Sequence, residues 1–323
     1  MKRPTSLFVA ADVHMLHGES NLNAVLSLIL RDEGAVRPSA VLLGGDHAGL
    51  VGRVPSREQL GAAGFFPAKG AGGHDCADWQ PVYRLDELRG GISGLLGPSV
   101  PVFFTYGSHD KNAADPITAS FQGPTSLEHC HLYGVSFCQM HCADDAQLAE
   151  RGYDGPDAAL GGAERGVRAF LEWADALTDR KPLFVMSHIP LHAHRTDNLG
   201  ALQWTRAFNR TAQTRDVFVF FGHNHTAEHL TPFEKECYFV PAGSTLPVQG
   251  REKEDQPQLT LRFTYLNAGY IANGFGTLLT LSDEDGTGRY DTLTIRRYSL
   301  HGDNACFGST PHENPQRIRL RHL

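Results

Sequence analysis

Aspartate, histidine or both occur in short clusters at five places in this sequence, each time at the end of a short apolar run. The five clusters are Asp12-Val13-His14, Gly45-Asp46-His47, Gly107-Ser108-His109-Asp110, Ser187-His188 and Gly222-His223-Asn224-His225. Carboxylate and imidazole groups together suit zinc, manganese, iron or cobalt. They are too many for one tetrahedral ion, so the pattern predicts two metal ions that share a carboxylate. Such a pair generates hydroxide at neutral pH and holds the oxygens of a phosphoryl group.

The apolar runs before the clusters are predicted strands of an α/β sheet, with a helix over residues 21–30 between the first two. The five runs cover residues 7–11, 40–43, 100–105, 183–186 and 217–221. Ligands bind beyond the carboxyl ends of the strands in open α/β sheets. We therefore expect all five clusters to lie in one crevice.

The rest of the chain predicts one domain over residues 1–323, without a linker or a repeat. Further helices are predicted at 83–96, 164–177 and 199–212, and further strands at 132–140, 237–240, 259–266, 275–281 and 290–298. Residues 48–97 are rich in Gly and Pro outside their one helix and predict a lid or insertion. The polar residues from about 302 to 323 predict a C-terminal tail.

Composition excludes several classes of protein. Of 323 residues, 41% are hydrophobic and 17 are histidine, with a net charge of -7. No apolar run approaches the roughly 20 residues of a membrane span, and the acidic balance makes nucleic acid an unlikely partner. The six cysteines are too scattered for a disulfide framework. Without a signal-peptide pattern, the predicted location is the cytoplasm.

The order of the five clusters resembles the calcineurin-like metallophosphoesterases over roughly residues 5–230. The resemblance implies a sandwich of two mixed β-sheets flanked by helices, with two metal ions (manganese, iron or zinc). It implies Asp12, His14 and His225 as ligands of the first ion and Asp46 as the bridge between the two. His188 and His223 would hold the second ion.

The same resemblance implies that His109 protonates the leaving oxygen or steadies the phosphoryl group, with Asp110 orienting it. Two positions depart from the family. Ser108 stands where the family has an Asn whose amide oxygen binds the second metal, which predicts a weaker second site. His47 follows Asp46 where many members carry a smaller or acidic residue; it either adds a ligand or lines the cleft.

Other polar groups have two interpretations. His192, His194 and Arg195 either contact the substrate phosphate or belong to a solvated loop. A structural zinc site could be formed by His129, Cys130 and His131 with Cys138, His141 and Cys142. The alternation along residues 132–140 favours instead a strand with cysteines packed as small apolar residues.

The predicted function is hydrolysis of small phosphate mono- or diesters by a metal-bridging hydroxide, and the oligomeric state stays open. One alternative is a catalytically degenerate protein that keeps the fold and binds a partner. The other is a nuclease of the same superfamily, which needs a basic track. The residues that could form it are Arg195, Arg206, Arg210 and Arg215.

Overall fold

The described part of the chain forms two six-stranded β-sheets packed face to face, with helices on their outer faces, and a separate two-stranded sheet. The structure, a computed structural model, describes residues 2–47, 85–105, 107, 125–135, 155–192, 200–223, 239–250, 255–300 and 315–321. The predicted lid therefore lies outside the described residues, apart from the helix at its end. So does most of the predicted tail.

The described helices are α1 (Met15–Arg31), α2 (Leu85–Leu96), α3 (Gly155–Ala176) and α4 (Ala201–Thr211). The described strands are β1 (Thr5–Ala10), β2 (Ala40–Gly44), β3 (Val102–Thr105), β4 (Thr125–Leu127), β5 (Cys130–Val135), β6 (Leu183–Ser187), β7 (Val217–Phe221), β8 (Phe239–Val240), β9 (Thr245–Pro247), β10 (Gln258–Thr260), β11 (Thr264–Asn267), β12 (Phe275–Ser282), β13 (Thr292–Ser299) and β14 (Gln316–Arg319).

Both large sheets are mixed. The first has the order β14-β13-β12-β1-β2-β3, in which β1, β2 and β3 are parallel and the remaining pairs are antiparallel. The second has the order β4-β5-β6-β7-β11-β8, in which β5, β6, β7 and β11 are parallel. The predicted α/β sandwich of two mixed sheets flanked by helices is confirmed.

Each central strand serves two apolar layers because successive side chains point to opposite faces. In β1, Leu7 and Val9 pack between the sheets, whereas Phe8 and Ala10 pack beneath helices α1 and α2. Such strands have no polar face, which explains why they occur in the sequence as continuous apolar runs.

The helices present apolar stripes at helical spacing. The stripe of α1 contains Leu22, Val25, Leu26 and Ile29, and that of α2 contains Leu88, Ile92 and Leu96. On the second sheet, Phe170 of α3 contacts Trp204 and Phe208 of α4 in edge-to-face geometry. None of the described helices has the length and apolar character that crossing a membrane requires.

Several elements differ from their predicted bounds, among them α1, which begins at Met15 rather than at residue 21. Helix α3 begins at Gly155 rather than 164. The strand predicted over 259–266 is divided into β10 and β11. Within the predicted tail, Gln316–Arg319 form the edge strand β14, paired with β13. The alternation of Ile318 and Leu320 with arginines is a strand signal, and Leu320 is buried between the sheets.

Asp291 ties the hairpin between β12 and β13 to the edge strand. Its carboxylate accepts hydrogen bonds from the backbone N–H groups of Glu284 (3.1 Å) and Asp285 (2.8 Å) and from the Thr292 hydroxyl (2.8 Å). It also pairs with Arg319 at 3.0 Å. Burial alone would raise the pKa of Asp291, but these hydrogen bonds and the arginine outweigh it and lower the pKa to about 2.

We expect Asp291→Asn to be less stable than the wild type at pH 7. A carboxyl group whose pKa is lowered by folding contributes stability above its unfolded pKa, and that contribution is lost as the pH falls through the folded value. The stability gap should therefore close between about pH 4 and pH 2, as measured by urea unfolding across this range. Asp175→Asn is the control, because Asp175 forms an exposed pair with Arg210. Equal stability of Asp291→Asn and wild type at pH 7 would contradict the assignment.

Candidate metal centre

Five of the predicted ligands come together at the carboxyl ends of the central strands. They form two groups that share Asp46: Asp12, His14 and Asp46, and Asp46, His188 and His223. Within each group, one potential ligand atom from every residue lies within 4.8 Å of the others. The division into two groups follows the predicted one, with the same shared carboxylate. That these residues hold metal stays a prediction.

Parallel pairing of β1 and β2 brings the first group together. Beyond the strands, the backbone N–H of Asp12 donates to Gly45 O (3.0 Å) and that of His14 donates to Asp46 O (2.9 Å). The two strand ends therefore stay paired for two further residues in the loops. This pairing places the carboxylates of Asp12 and Asp46 side by side.

Strands β6 and β7 of the other sheet carry the two histidines of the second group. Gly222 N–H donates to His188 O (3.0 Å), which holds these two strand ends together. His223 N–H then donates to both carboxylate oxygens of Asp12, at 3.0 and 3.1 Å. The bond to Asp12 crosses from one sheet to the other, so the centre is built at the seam between them.

The backbone of the centre is strained. Among the described residues, the non-glycine residues with positive φ are Asp12 (56°), His14 (43°), Asp46 (51°) and His223 (68°), and all four are candidate ligands. Left-handed conformations cost on the order of 1–3 kcal/mol each and persist where the surrounding structure imposes them. Tight turns at the strand ends thus aim these side chains inward at the expense of stability.

Glycines allow the strand ends to approach this closely. A Cβ at Gly222 would lie 2.7 Å from Oδ2 of Asp12, and one at Gly107 would overlap the backbone nitrogen and carboxylate of Asp46. Gly45 has φ 87° and would meet Gly107 in the same way. The glycines of the sequence clusters are therefore steric requirements of the ligand positions.

His188 is held in the orientation of a ligand. Its Nδ1–H donates to Gly44 O at 2.8 Å, because a carbonyl oxygen can only accept. Its Nε2 faces the carboxylates, 3.1 Å from Asp46 Oδ2 and 4.0 Å from Asp12 Oδ1. If the imidazole were neutral, Nε2 would carry a lone pair that faces the carboxylate oxygens. This geometry therefore requires a proton or a metal ion between Nε2 and the two carboxylates.

The charge of the site favours a cation. Burial alone would lower the pKa of His188, but the charges of Asp46 and Asp12 outweigh it and raise the pKa to about 9. The same negative field attracts a divalent ion, which would replace the proton. Two carboxylates and three imidazoles suit manganese, iron or zinc, so the donor set fits the predicted metals.

The other predicted site residues have different positions. His47 is buried, donates from Nε2 to Thr105 O (3.0 Å) and packs edge-on against Phe104; it belongs to neither ligand group. His192 is also buried, with Nδ1 3.0 Å from the hydroxyl of Tyr265. Neither residue belongs to the two ligand groups, and their contact with a substrate stays a prediction. Ser108, His109, Asp110, His194, Arg195 and His225 lie outside the described residues.

The alternative zinc interpretation loses two of its members. Cys130 is buried between the sheets, and this burial raises the pKa of its thiol to about 12, so it packs as a small apolar residue. His131 is paired with Asp179 at 3.0 Å instead. Cys138 and Cys142 are outside the described part of the chain.

Tyr270 lies beside the centre, although no pattern in the sequence indicates it. Its ring makes an edge-to-face contact with His14, with centroids 6.0 Å apart. Burial and then the charges of Asp12 and Asp46 raise the pKa of Tyr270 to about 12. A lone tyrosine after a strand carries no motif, and only its contact with the cluster distinguishes it.

No protein-family model matches the sequence, and no curated protein matches it. Two solved structures that match are both described as phosphoesterases. One is a predicted phosphoesterase from Streptococcus pneumoniae TIGR4, with 10% identity and a TM-score of 0.33, over 99% of each chain. The other is the calcineurin-like phosphoesterase YfkN from Bacillus subtilis, with 10% identity and a TM-score of 0.40, over 94% of this chain and 92% of that one. The assignment of the fold rests on the topology of the two sheets.

We expect Gly107→Ala to reduce metal binding, because the new methyl group must displace both the backbone nitrogen and the carboxylate of Asp46. Manganese binding, measured by isothermal titration calorimetry, should weaken at both sites since Asp46 belongs to both groups. The matched control is Gly94→Ala in α2, where a Cβ meets nothing within 4 Å. Wild-type manganese affinity in Gly107→Ala would contradict the steric argument.

Proposed function

We propose that this chain is a phosphoester hydrolase of the calcineurin-like type that uses two metal ions and acts on small phosphate mono- or diesters. The observation that carries the proposal is the sharing of Asp46 between two adjacent ligand groups at the seam of two mixed sheets. A carboxylate shared by two ligand groups could bind two ions at once. A site for a single metal ion would not need such a shared carboxylate.

In this proposal Asp12 and His14 hold the first ion with His225, and His188 and His223 hold the second with Ser108. When bound, two such ions supply a hydroxide nucleophile from water at neutral pH and neutralise the phosphoryl oxygens. The protein's part is to keep the donor atoms in place. Gly44 O fixes the ring of His188, and His223 N–H fixes the carboxylate of Asp12.

The proton needed by the departing alcohol is assigned to His109, with Asp110 orienting its ring. Strand β3 ends at Thr105, next to β2 and Asp46, and Gly107 lies against Asp46. The chain that leads to His109 therefore passes beside the candidate metal centre. This supports His109 and Asp110 as members of the site.

Two arginines of the suggested basic track favour a small ester over a nucleic acid. Arg210 is paired with Asp175, and the guanidinium of Arg215 donates to the carbonyl oxygens of Leu177 and Asp179. Arg215 also precedes β7, whereas His223 follows it, so the strand separates the two. Neither arginine extends a path of positive charge to the centre.

The first test is elemental analysis of the purified protein, paired with hydrolysis of p-nitrophenyl phosphate and bis-p-nitrophenyl phosphate with added manganese. We expect close to two metal ions per chain and turnover of at least one ester. Asp46→Asn should lower turnover by more than about 100-fold. Mutation of a residue that only supports a metal ligand lowers activity by at most about that factor. Asp175→Asn, an exposed carboxylate on α3, is the control. Two bound metals without turnover of either ester would favour the degenerate, partner-binding alternative.

A second test addresses Ser108. A hydroxyl is a weaker neutral ligand than a carboxamide oxygen and reaches less far, so we expect Ser108→Asn to raise the occupancy of the second metal site. The measurement is a manganese titration of wild type and variant followed by calorimetry. Ser108→Ala serves as the control that changes the residue without adding a donor. No gain in Ser108→Asn would remove Ser108 from the proposed ligand set.

A further inference from the structure

The backbone around Tyr270 is fixed to the ligand-bearing end of β1. Tyr270 forms a parallel bridge with Ala11, and the following N–H groups donate to β1 and its loop: Ile271 to Ala11 O (3.0 Å) and Ala272 to Asp12 O (3.2 Å). The position of Tyr270 beside the centre therefore depends on main-chain bonds and not on its own side chain.

The side chain of Tyr270 lies at the edge of the cluster. It is half-buried, and its ring stands nearly perpendicular to the ring of His14, at 86°. The ring of Tyr270 therefore forms part of the wall of the centre, beside the first ligand group.

We propose that Tyr270 is a substrate-contacting residue whose hydroxyl donates a hydrogen bond to an oxygen of the phosphoryl group bound at the metal centre. The inference rests on the proposed function. A neutral hydroxyl beside the centre can donate to a charged phosphoryl oxygen without adding a second acid that competes with His109. A hydrogen bond to a charged oxygen is also among the stronger ones in proteins.

Tyr270→Phe is the variant that tests this role, because it keeps the ring contact with His14 and removes only the hydroxyl. Binding of inorganic phosphate to the manganese-loaded protein is measured by calorimetry, and kcat and KM are measured with p-nitrophenyl phosphate. We expect phosphate affinity and kcat/KM to fall about tenfold, the value of one hydrogen bond to a charged group. Manganese content should stay at the wild-type level.

Tyr290→Phe is the matched control. Its hydroxyl donates to Arg3 O at 2.5 Å, in a part of the molecule away from the cluster. It should leave phosphate affinity and manganese content unchanged. An equal loss of phosphate affinity in both variants would overturn the proposal, because the effect would then not be specific to Tyr270.

The outcomes separate this inference from the proposed function. Wild-type phosphate affinity in Tyr270→Phe overturns the inference while leaving the hydrolase proposal in place. Loss of manganese from Tyr270→Phe also overturns it, because Tyr270 would then position His14 and not contact the substrate. If the wild type turns over neither ester, the hydrolase proposal fails, and the phosphate titration alone decides the contact. A wild type that binds no phosphate overturns the inference as well.

Discussion

The burial of two carboxylates side by side is the constraint on which this structure depends. Asp12 and Asp46 are almost completely buried, and together they belong to one cluster of possible ligands. Buried like charges are strongly unfavourable unless a cation or hydrogen-bond donors compensate them. In the protein itself, the Nε2 atom of His188 and the N–H of His223 approach these carboxylates. The negative charge of these two buried carboxylates therefore has to be compensated by a proton on His188 or by a bound cation.

The rest of the local structure follows from keeping those charges together. Left-handed backbone at the candidate ligands and glycines at the turns both reduce stability, and neither would be needed to close a simple strand-to-helix loop. The apolar layers on both faces of the central strands provide the compensation. Functional sites are often strained and reduce the stability of the fold, and the packing of the apolar core compensates for that loss.

Much of the fold and of the site can be predicted because strands buried on both faces leave a continuous apolar signature. The runs before Asp12 and Asp46 have no polar face, and the polar residues therefore begin where the strands end. The parallel register that pairs those ends is a tertiary property, but strand ends in α/β sheets meet at one edge, so the cluster could be anticipated.

What could not be predicted depends on contacts between distant segments. His192 occurs in a histidine-rich stretch, and nothing in that stretch indicates that its ring packs against Phe221 and Tyr265. Tyr270 has no local pattern and reaches the centre only because its backbone pairs with Ala11. The edge strand β14 carries an alternating pattern, but its polar surroundings and prolines conceal it in the sequence. Single residues are therefore harder to place than strands.

The hydrogen bond from His223 to Asp12 joins residues that are 211 positions apart. Strand β1 also pairs with β12, and there Thr5 lies opposite Leu281. Contacts of such long sequence separation form late, because the intervening chain must first be ordered. A growing polypeptide on the ribosome therefore carries the aspartates of the centre long before it carries their partners. Under the proposed function, metal would bind only after synthesis of most of the chain, once both sheets have assembled.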